Sequence, residues 1–173
     1  QHLEKAIKRM EAKEWAEAIP LLRAFIRVNR TAAPAWALLG QCHNKLGQWE
    51  DARTALEIAR KLEPWRFRYA AELGKTYIAL EEWNKAEEQL KVAQKVFPSS
   101  ASLTLQLGIA LLRQKKSAEA RSAFRIVEAK NILLGPITRL YIIETYHQEG
   151  NKEEVRKEVE FYQDVFGPGE LAD

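Results

Sequence analysis

The sequence is short of most of the residues that carry chemistry. It holds one cysteine, one methionine and three histidines in 173 residues. A lone thiol, Cys42, excludes an internal disulfide framework, although it does not separate a reducing compartment from an oxidising one. No apolar run approaches the roughly 18 residues of a membrane span, and no signal-type apolar segment precedes Lys5, so membrane insertion is not expected. A dominant charge is missing too: 27 Lys and Arg stand against 24 Asp and Glu, and the surplus of +3 is interspersed. That is too little for the basic footprint of a nucleic-acid binder. The chain begins at Gln1 rather than Met. It is expected to be a processed protein or a piece of a longer one, with targeting and neighbouring segments outside it. The compartment stays open, the cytoplasm being slightly favoured.

Catalytic and metal-binding patterns are equally scarce. His2, His43 and His147 form no ligand spacing with one another, with a carboxylate or with Cys42. Cys42 and His43 are adjacent, but neighbouring helical residues point about 100° apart, so they do not pair as nucleophile and base. His43 is expected in a helix seam. There is no phosphate-binding glycine run, and the Glu and Lys residues recur along solvated helix faces, as Glu87 and Lys91 illustrate. Neither an enzymatic function nor a metal or cofactor is expected.

What the chain does have is a period. Trp15, Trp49 and Trp83 stand 34 residues apart, and Ala18, Ala52, Ala86 and Ala120 keep the same interval. Such a period marks stacked helical hairpins. The best-defined unit runs through Trp36, Leu39, Gly40 and His43, turns at Gly47, then continues through Trp49, Ala52, Leu56 and Ala59 to Pro64. The next answers with Ala70, Leu73, Gly74 and Tyr77, then Ala86, Leu90, Ala93 and Pro98, and a third with Leu107, Gly108 and Leu111, then Ala120, Phe124 and Val127. Glycine inside a helix costs about 1 kcal/mol relative to alanine, so Gly40, Gly74 and Gly108 point to close approach of the partner helix, with Ala52, Ala86 and Ala120 as the small residues that permit it. Pro64 and Pro98 interrupt the second helices and place unit boundaries after Leu62 and Val96. The Trp residues that follow the turns are expected to pack at hairpin ends.

These residues resemble the tetratricopeptide repeat family: Trp36, Leu39, Gly40, His43, Ala52, Leu56, Ala59 and Pro64 match its motif, most strongly over residues 33 to 134. The resemblance implies an all-α, right-handed superhelical solenoid of antiparallel helix hairpins, with first helices lining a concave groove. It also implies a scaffold or adaptor that binds peptides or protein partners. We expect a single domain of about five hairpins, 1–32, 33–66, 67–100, 101–135 and 136–168, followed by a tail at 169–173. The expected helices are 2–12, 15–29, 34–46, 49–62, 67–80, 83–96, 101–113, 117–130, 136–149 and 152–165. The ends depart from the pattern. The first helix offers Leu3, Ala6, Ile7 and Met10, so its face is expected to be shifted or frayed. The last unit comes into register only with one residue inserted between Ala129 and Pro136. There Val155 takes the small-alanine place, and a more open hairpin is expected.

Residues on the first helices that the hairpin seams do not need are the candidate partner-binding groove. They are Gln41, Asn44 and Lys45 in the second unit, Arg68, Glu72 and Lys75 in the third, and Leu105, Gln106, Ile109, Leu112 and Arg113 in the fourth. Ile137, Leu140, Tyr141, Glu144 and His147 extend the set into the imperfect last unit. The fourth first-helix is apolar nearly all round, which is usual for a helix covered on more than one side. Leu105, Ile109 and Leu112 would receive apolar anchors of a protein or peptide segment, while Arg68, Lys75 and Arg113 engage its acidic groups. Some relatives of this kind clamp a terminal carboxylate with Lys and Asn residues; the corresponding places hold Ala37, Gln41, Glu72, Ser102 and Gln106, or one unit earlier Leu3, Ile7, Leu38, Arg68 and Glu72, so that mode is disfavoured. An alternative function is a structural or self-association module acting through Val159 and Tyr162. A weaker one is nucleic-acid binding at the patch around Trp65, Arg66 and Arg68.

Overall fold

The computed structural model describes residues 1–167. The expected tail at 169–173, with Pro168, lies outside the described residues. Ten α-helices follow one another in that span: α1 (His2–Glu11), α2 (Trp15–Val28), α3 (Ala33–Lys45), α4 (Trp49–Leu62), α5 (Arg68–Ala79), α6 (Trp83–Gln94), α7 (Ala101–Arg113), α8 (Ser117–Lys130), α9 (Gly135–Gln148) and α10 (Lys152–Phe166). Each expected helix is present, with ends moved by a residue or two. The largest shift is at α6, which stops at Gln94 because Lys95 and Val96 already donate to carbonyls three residues back, the tightened geometry of a helix end. The inserted residue before the last unit is absorbed by a 3₁₀ turn at Ile132–Leu134, where the Asn131 side chain accepts from the Leu133 amide. The fold is an all-α series of antiparallel helical hairpins.

The chain divides into two compact units, Gln1–Val96 and Phe97–Asp173. In the first, α1–α2, α3–α4 and α5–α6 pair as hairpins, and α2 and α4 also pack on the first helix of the hairpin that follows. Ala6, Ala18, Leu22, Cys42, Leu56, Ala59, Ala70, Ala86 and Leu90 are wholly buried there. α1 is a regular helix rather than a frayed one: Ala6 and Met10 turn inward, and Ile7 is rotated towards solvent. In the second unit α7–α8 and α9–α10 pair, around Leu112, Ala120, Phe124, Val127, Ile142 and Tyr162. The α9–α10 hairpin is the most sparsely packed of the five. Val155 and Val159, which β-branching keeps stiff, stand half-buried in it.

The repeating glycines are explained differently from the expectation. A Cβ on Gly74 would lie 2.6 Å from Leu90 Cδ2, and one on Gly108 would lie 2.6 Å from Phe124 Cε1; Gly40 meets Leu56 in the same way. The glycine therefore admits the large side chain of the second helix, whereas Ala52, Ala86 and Ala120 are buried elsewhere in the seam.

The turns repeat as faithfully as the helices. Lys13, Gly47, Glu81 and Lys115 all adopt left-handed backbone, with φ of 61°, 70°, 58° and 61°, at the 34-residue interval; Gly150, at 71°, follows after the insertion. In each turn the residue after the left-handed one donates to a carbonyl five positions back, as Gln48 does to His43 at 2.9 Å and Lys116 to Leu111 at 3.0 Å. This closes the first helix by satisfying one of its last carbonyls.

Candidate functional site

The unit-1 part of the candidate surface lies on α3 and α5. Asn44 is buried there, and its amide is fully committed. Its Nδ2 donates to the Glu72 carbonyl at 3.2 Å and to Glu72 Oε2 at 2.9 Å, while Thr76 Oγ1 donates to its Oδ1 at 2.8 Å. Asn44 is thus a bolt between α3 and α5 rather than a groove residue, and it holds the Glu72 carboxylate with it. A buried amide keeps its place only when its donors and acceptors are met, and here they are met within the protein. Lys75 Nζ lies 4.0 Å from Glu72, a loose pair that leaves the ammonium open to a ligand. Lys45 lies 5.7 Å over the Trp15 ring, a cation–π contact that also gives this hairpin-end tryptophan its role. Gln41 is half-buried, and Arg68 is exposed with no ion pair among the described residues. Four of the six expected residues, Gln41, Lys45, Arg68 and Lys75, therefore remain accessible.

The unit-2 part is α7 with the neighbouring face of α9. Leu112 is wholly buried, and its carbonyl accepts from Gln148 Nε2 at 3.1 Å, so it belongs to the core and not to the groove. Leu103 and Leu107 are buried too, which accounts for most of the excess apolar surface of α7 by packing. Leu105 and Ile109, one helical turn apart, stay half-buried, with Arg113 exposed one turn further on. Gln106 lies between them, and its Nε2 is 3.5 Å from Ser102 Oγ while its Oε1 is shielded from solvent without a hydrogen-bond partner. Tyr141 of α9 is stacked on Phe124, ring centroids 5.0 Å apart, and so belongs partly to the core.

Other sequence candidates separate in the same way. His43 is buried, its Nδ1 2.6 Å from Gln48 Oε1, as expected of a seam residue. Burial pushes the Cys42 thiol up to about 11, so it is protonated and unreactive at neutral pH. Glu87 and Lys91 pair at 3.0 Å. Among the described residues no group of His, Cys, Asp or Glu could hold a metal ion, and no helix is long and apolar enough to cross a membrane. Trp65 is 68% exposed, but the basic patch beside it is depleted, since Arg66 is spent on Glu63 at 2.7 Å. Tyr162 is wholly buried and available to no partner; the exposed large apolar residues of α10 are Phe161, Val165 and Phe166.

Comparison with known proteins bears on the fold. Tetratricopeptide repeat models match residues 9–71 and 71–131. No curated protein matches the sequence. Among solved structures, MamA from strain AMB-1 is 22% identical, with a TM-score of 0.85 over 99% of this chain and 94% of that one. YrrB, described as a TPR protein with an unusual peptide-binding site, is 18% identical with a TM-score of 0.88, over 98% of this chain and 87% of that one. MamA from Desulfovibrio magneticus RS-1 is 13% identical with a TM-score of 0.81, over 98% and 95%. At these identities the likeness is one of fold. The two family models together span well over half of the sequence, and on that ground the chain belongs to the tetratricopeptide repeat family.

Proposed function

We propose that this protein is an interaction scaffold or adaptor whose first helices dock a partner segment with apolar anchors and acidic groups. The observation that carries the reading is α7. Leu107 and Leu111 already satisfy its hairpin, yet Leu105 and Ile109 keep part of their surface in solvent on the opposite side, with Arg113, unpaired among the described residues, beyond them. Two aliphatic side chains one turn apart, ending in a guanidinium, suit an apolar anchor followed by a carboxylate. In the first unit Gln41, Lys45, Arg68 and Lys75 offer amide and cationic contacts of the same kind. YrrB, with its peptide-binding site on a similar fold, supports peptide recognition as the type of activity.

Affinity capture from an extract of the parent organism, run with the native chain and with the Leu105→Ser, Ile109→Ser variant, tests the assignment. Partners held by the native chain should be lost from the variant while its helicity by circular dichroism is kept. Equal capture by both would sink it. Lys75→Glu should slow association and change its salt dependence.

A second reading, self-association through the outer face of α10, is favoured by one observation: Phe161 is 44% and Val165 55% exposed on one helix. Concentration-dependent oligomers that vanish in Phe161→Ser, Val165→Ser would select it.

A further inference from the structure

A cleft of about 530 Å³ lies in the first unit between α2 and α4, with α3 beneath it. We propose that it is a second docking site, for an acidic segment of a partner protein that carries an apolar anchor residue. The site lies between the second helices rather than on the first-helix faces, and it does not rest on the reading above.

The floor is apolar, formed by Ile26, Leu39 and Ala55, and the half-buried Trp36 makes one wall. The Trp36 indole N–H donates to the Arg30 carbonyl at 2.9 Å, which fixes the turn after α2. Arg23, Arg27 and Arg30 line the rim, and among the described residues none of their guanidinium groups has a hydrogen-bond or ion-pair partner. One carboxylate, Asp51, faces the three, so the cleft is net cationic. Cations near a helix C-terminus are favoured by its dipole, which accounts for Arg27 and Arg30 but not for Arg23 in the middle of α2. Other cations of this unit do find carboxylates, Arg9 with Glu14 and Glu17, Arg53 with Glu50 and Glu82, Lys91 with Glu87, although Arg68, like the three rim arginines, has none among the described residues.

The repeat supplies an internal comparison. One period later the same cleft recurs between α4 and α6, about 460 Å³ in volume, with Leu73 and Tyr77 in the places of Leu39 and His43. There Glu57 stands for Arg23, Arg60 for Ile26 and Gln89 for Ala55. Tyr77 Oη donates to Glu57 at 2.6 Å and Arg60 Nε to Gln89 at 3.1 Å. In the second cleft Glu57, Arg60 and Gln89 are thus satisfied within the protein and, among the described residues, only Lys61, in the place of Arg27, is a cation without a partner, whereas all three guanidiniums over the apolar floor of the first are unpaired. That combination is complementary to carboxylates flanking an apolar side chain.

The spacing sets the segment. Arg23 is five residues, roughly 7.5 Å at about 1.5 Å per residue, before α2 ends at Val28, and Arg30 lies two residues further on in the turn, so the two stand on the order of 10 Å apart. An extended peptide rises about 3.3 Å per residue, so acids three positions apart span that distance, with the anchor between them.

The test is fluorescence anisotropy of a labelled octapeptide with Glu-Leu-Ala-Glu at its centre, added to the whole chain at low salt. Control peptides carry Gln for both Glu residues, or Ser for Leu. The native protein should bind the first peptide, and Arg23→Glu, which gives the first cleft the acid found in the second, should weaken binding about tenfold or more. Arg156→Glu, an equal charge change on α10, should leave affinity within about twofold, and both control peptides should bind more weakly. Absence of binding at low salt, equal affinity in Arg23→Glu, or equal loss in Arg156→Glu would overturn the proposal. So would phosphatidylserine vesicles that retain the native chain and release Arg23→Glu while no peptide binds, since the cleft would then be a lipid site.

Discussion

Arg139 of α9 and Glu158 of α10 form an ion pair across the last hairpin, with side chains only 8% and 10% exposed. Around them Arg139 also pairs with Glu128 and lies 4.2 Å over the Phe161 ring, and Arg125 reaches the second oxygen of Glu158. The sparsest hairpin is thus tied by a buried ionic network. Burial alone would raise the Glu158 carboxyl, but the hydrogen bonds and charges of Arg125 and Arg139 outweigh it and hold the group below the usual carboxylate range.

Because the folded-state value is depressed, the linked stability is present above the ordinary carboxylate range and is lost as pH falls through the folded value. Glu158→Gln should destabilise the chain by about 3 kcal/mol at neutral pH, since it leaves Arg139 buried with less compensation. Urea titrations at pH 7 and in the acid range should show that gap between native and variant narrowing on acidification. A constant difference would mean that the pair contributes no proton-linked stability.

Gly108→Ala forces a Cβ against the ring of Phe124, which is wholly buried and has nowhere to retreat. The gain in helix propensity, about 1 kcal/mol, should be exceeded by overpacking of about 1–3 kcal/mol. Phe124→Leu in the same chain should relieve part of it, so that the double variant is less unstable than the two single effects added together.

The turn residues should respond with opposite signs. Lys115, at φ 61°, adopts a conformation unfavourable for a side chain with a Cβ, so Lys115→Gly should raise stability by about 0.5–1 kcal/mol after the entropy gained by the unfolded chain. Gly47→Ala, at φ 70°, should lower it by about 1 kcal/mol. Thermal melts of the two variants decide this directly.

Asn44→Ala should cost about 1–2 kcal/mol, because it removes the amide from the Glu72 and Thr76 hydrogen bonds, while the single Thr76 hydroxyl proton, shared between Asn44 Oδ1 and the Glu72 carbonyl, passes wholly to that carbonyl. Its effect on partner affinity should be no larger than the stability change explains. A selective loss of binding with unchanged stability would return Asn44 to the groove.

Most of the fold was legible because it is written in residues whose roles are local. Trp49, Ala52 and Leu56 recur at positions 83, 86 and 90, and helices end near Pro64 and Pro98 for want of an amide donor. The left-handed turns were half legible: Gly47 announced itself, but Lys13, Glu81 and Lys115 occupy the same conformation without the residue type that marks it. The candidate surface was read less well. Asn44 and Leu112 were indistinguishable from Gln41 and Ile109 by helical position, and their burial depends on what the next hairpin brings against them.

The sequence by itself determined the period and the hairpins, since 34-residue spacing and residue type act through the helix geometry of a single segment. Only tertiary structure decided which polar groups are consumed. Glu72 reaches Asn44 from 28 positions away, and Glu57 answers Tyr77 while Arg23, its counterpart one repeat earlier, faces solvent unpaired among the described residues. Those outcomes depend on how neighbouring helices pack, and hydrogen bonds and ion pairs form only between groups that packing brings within reach.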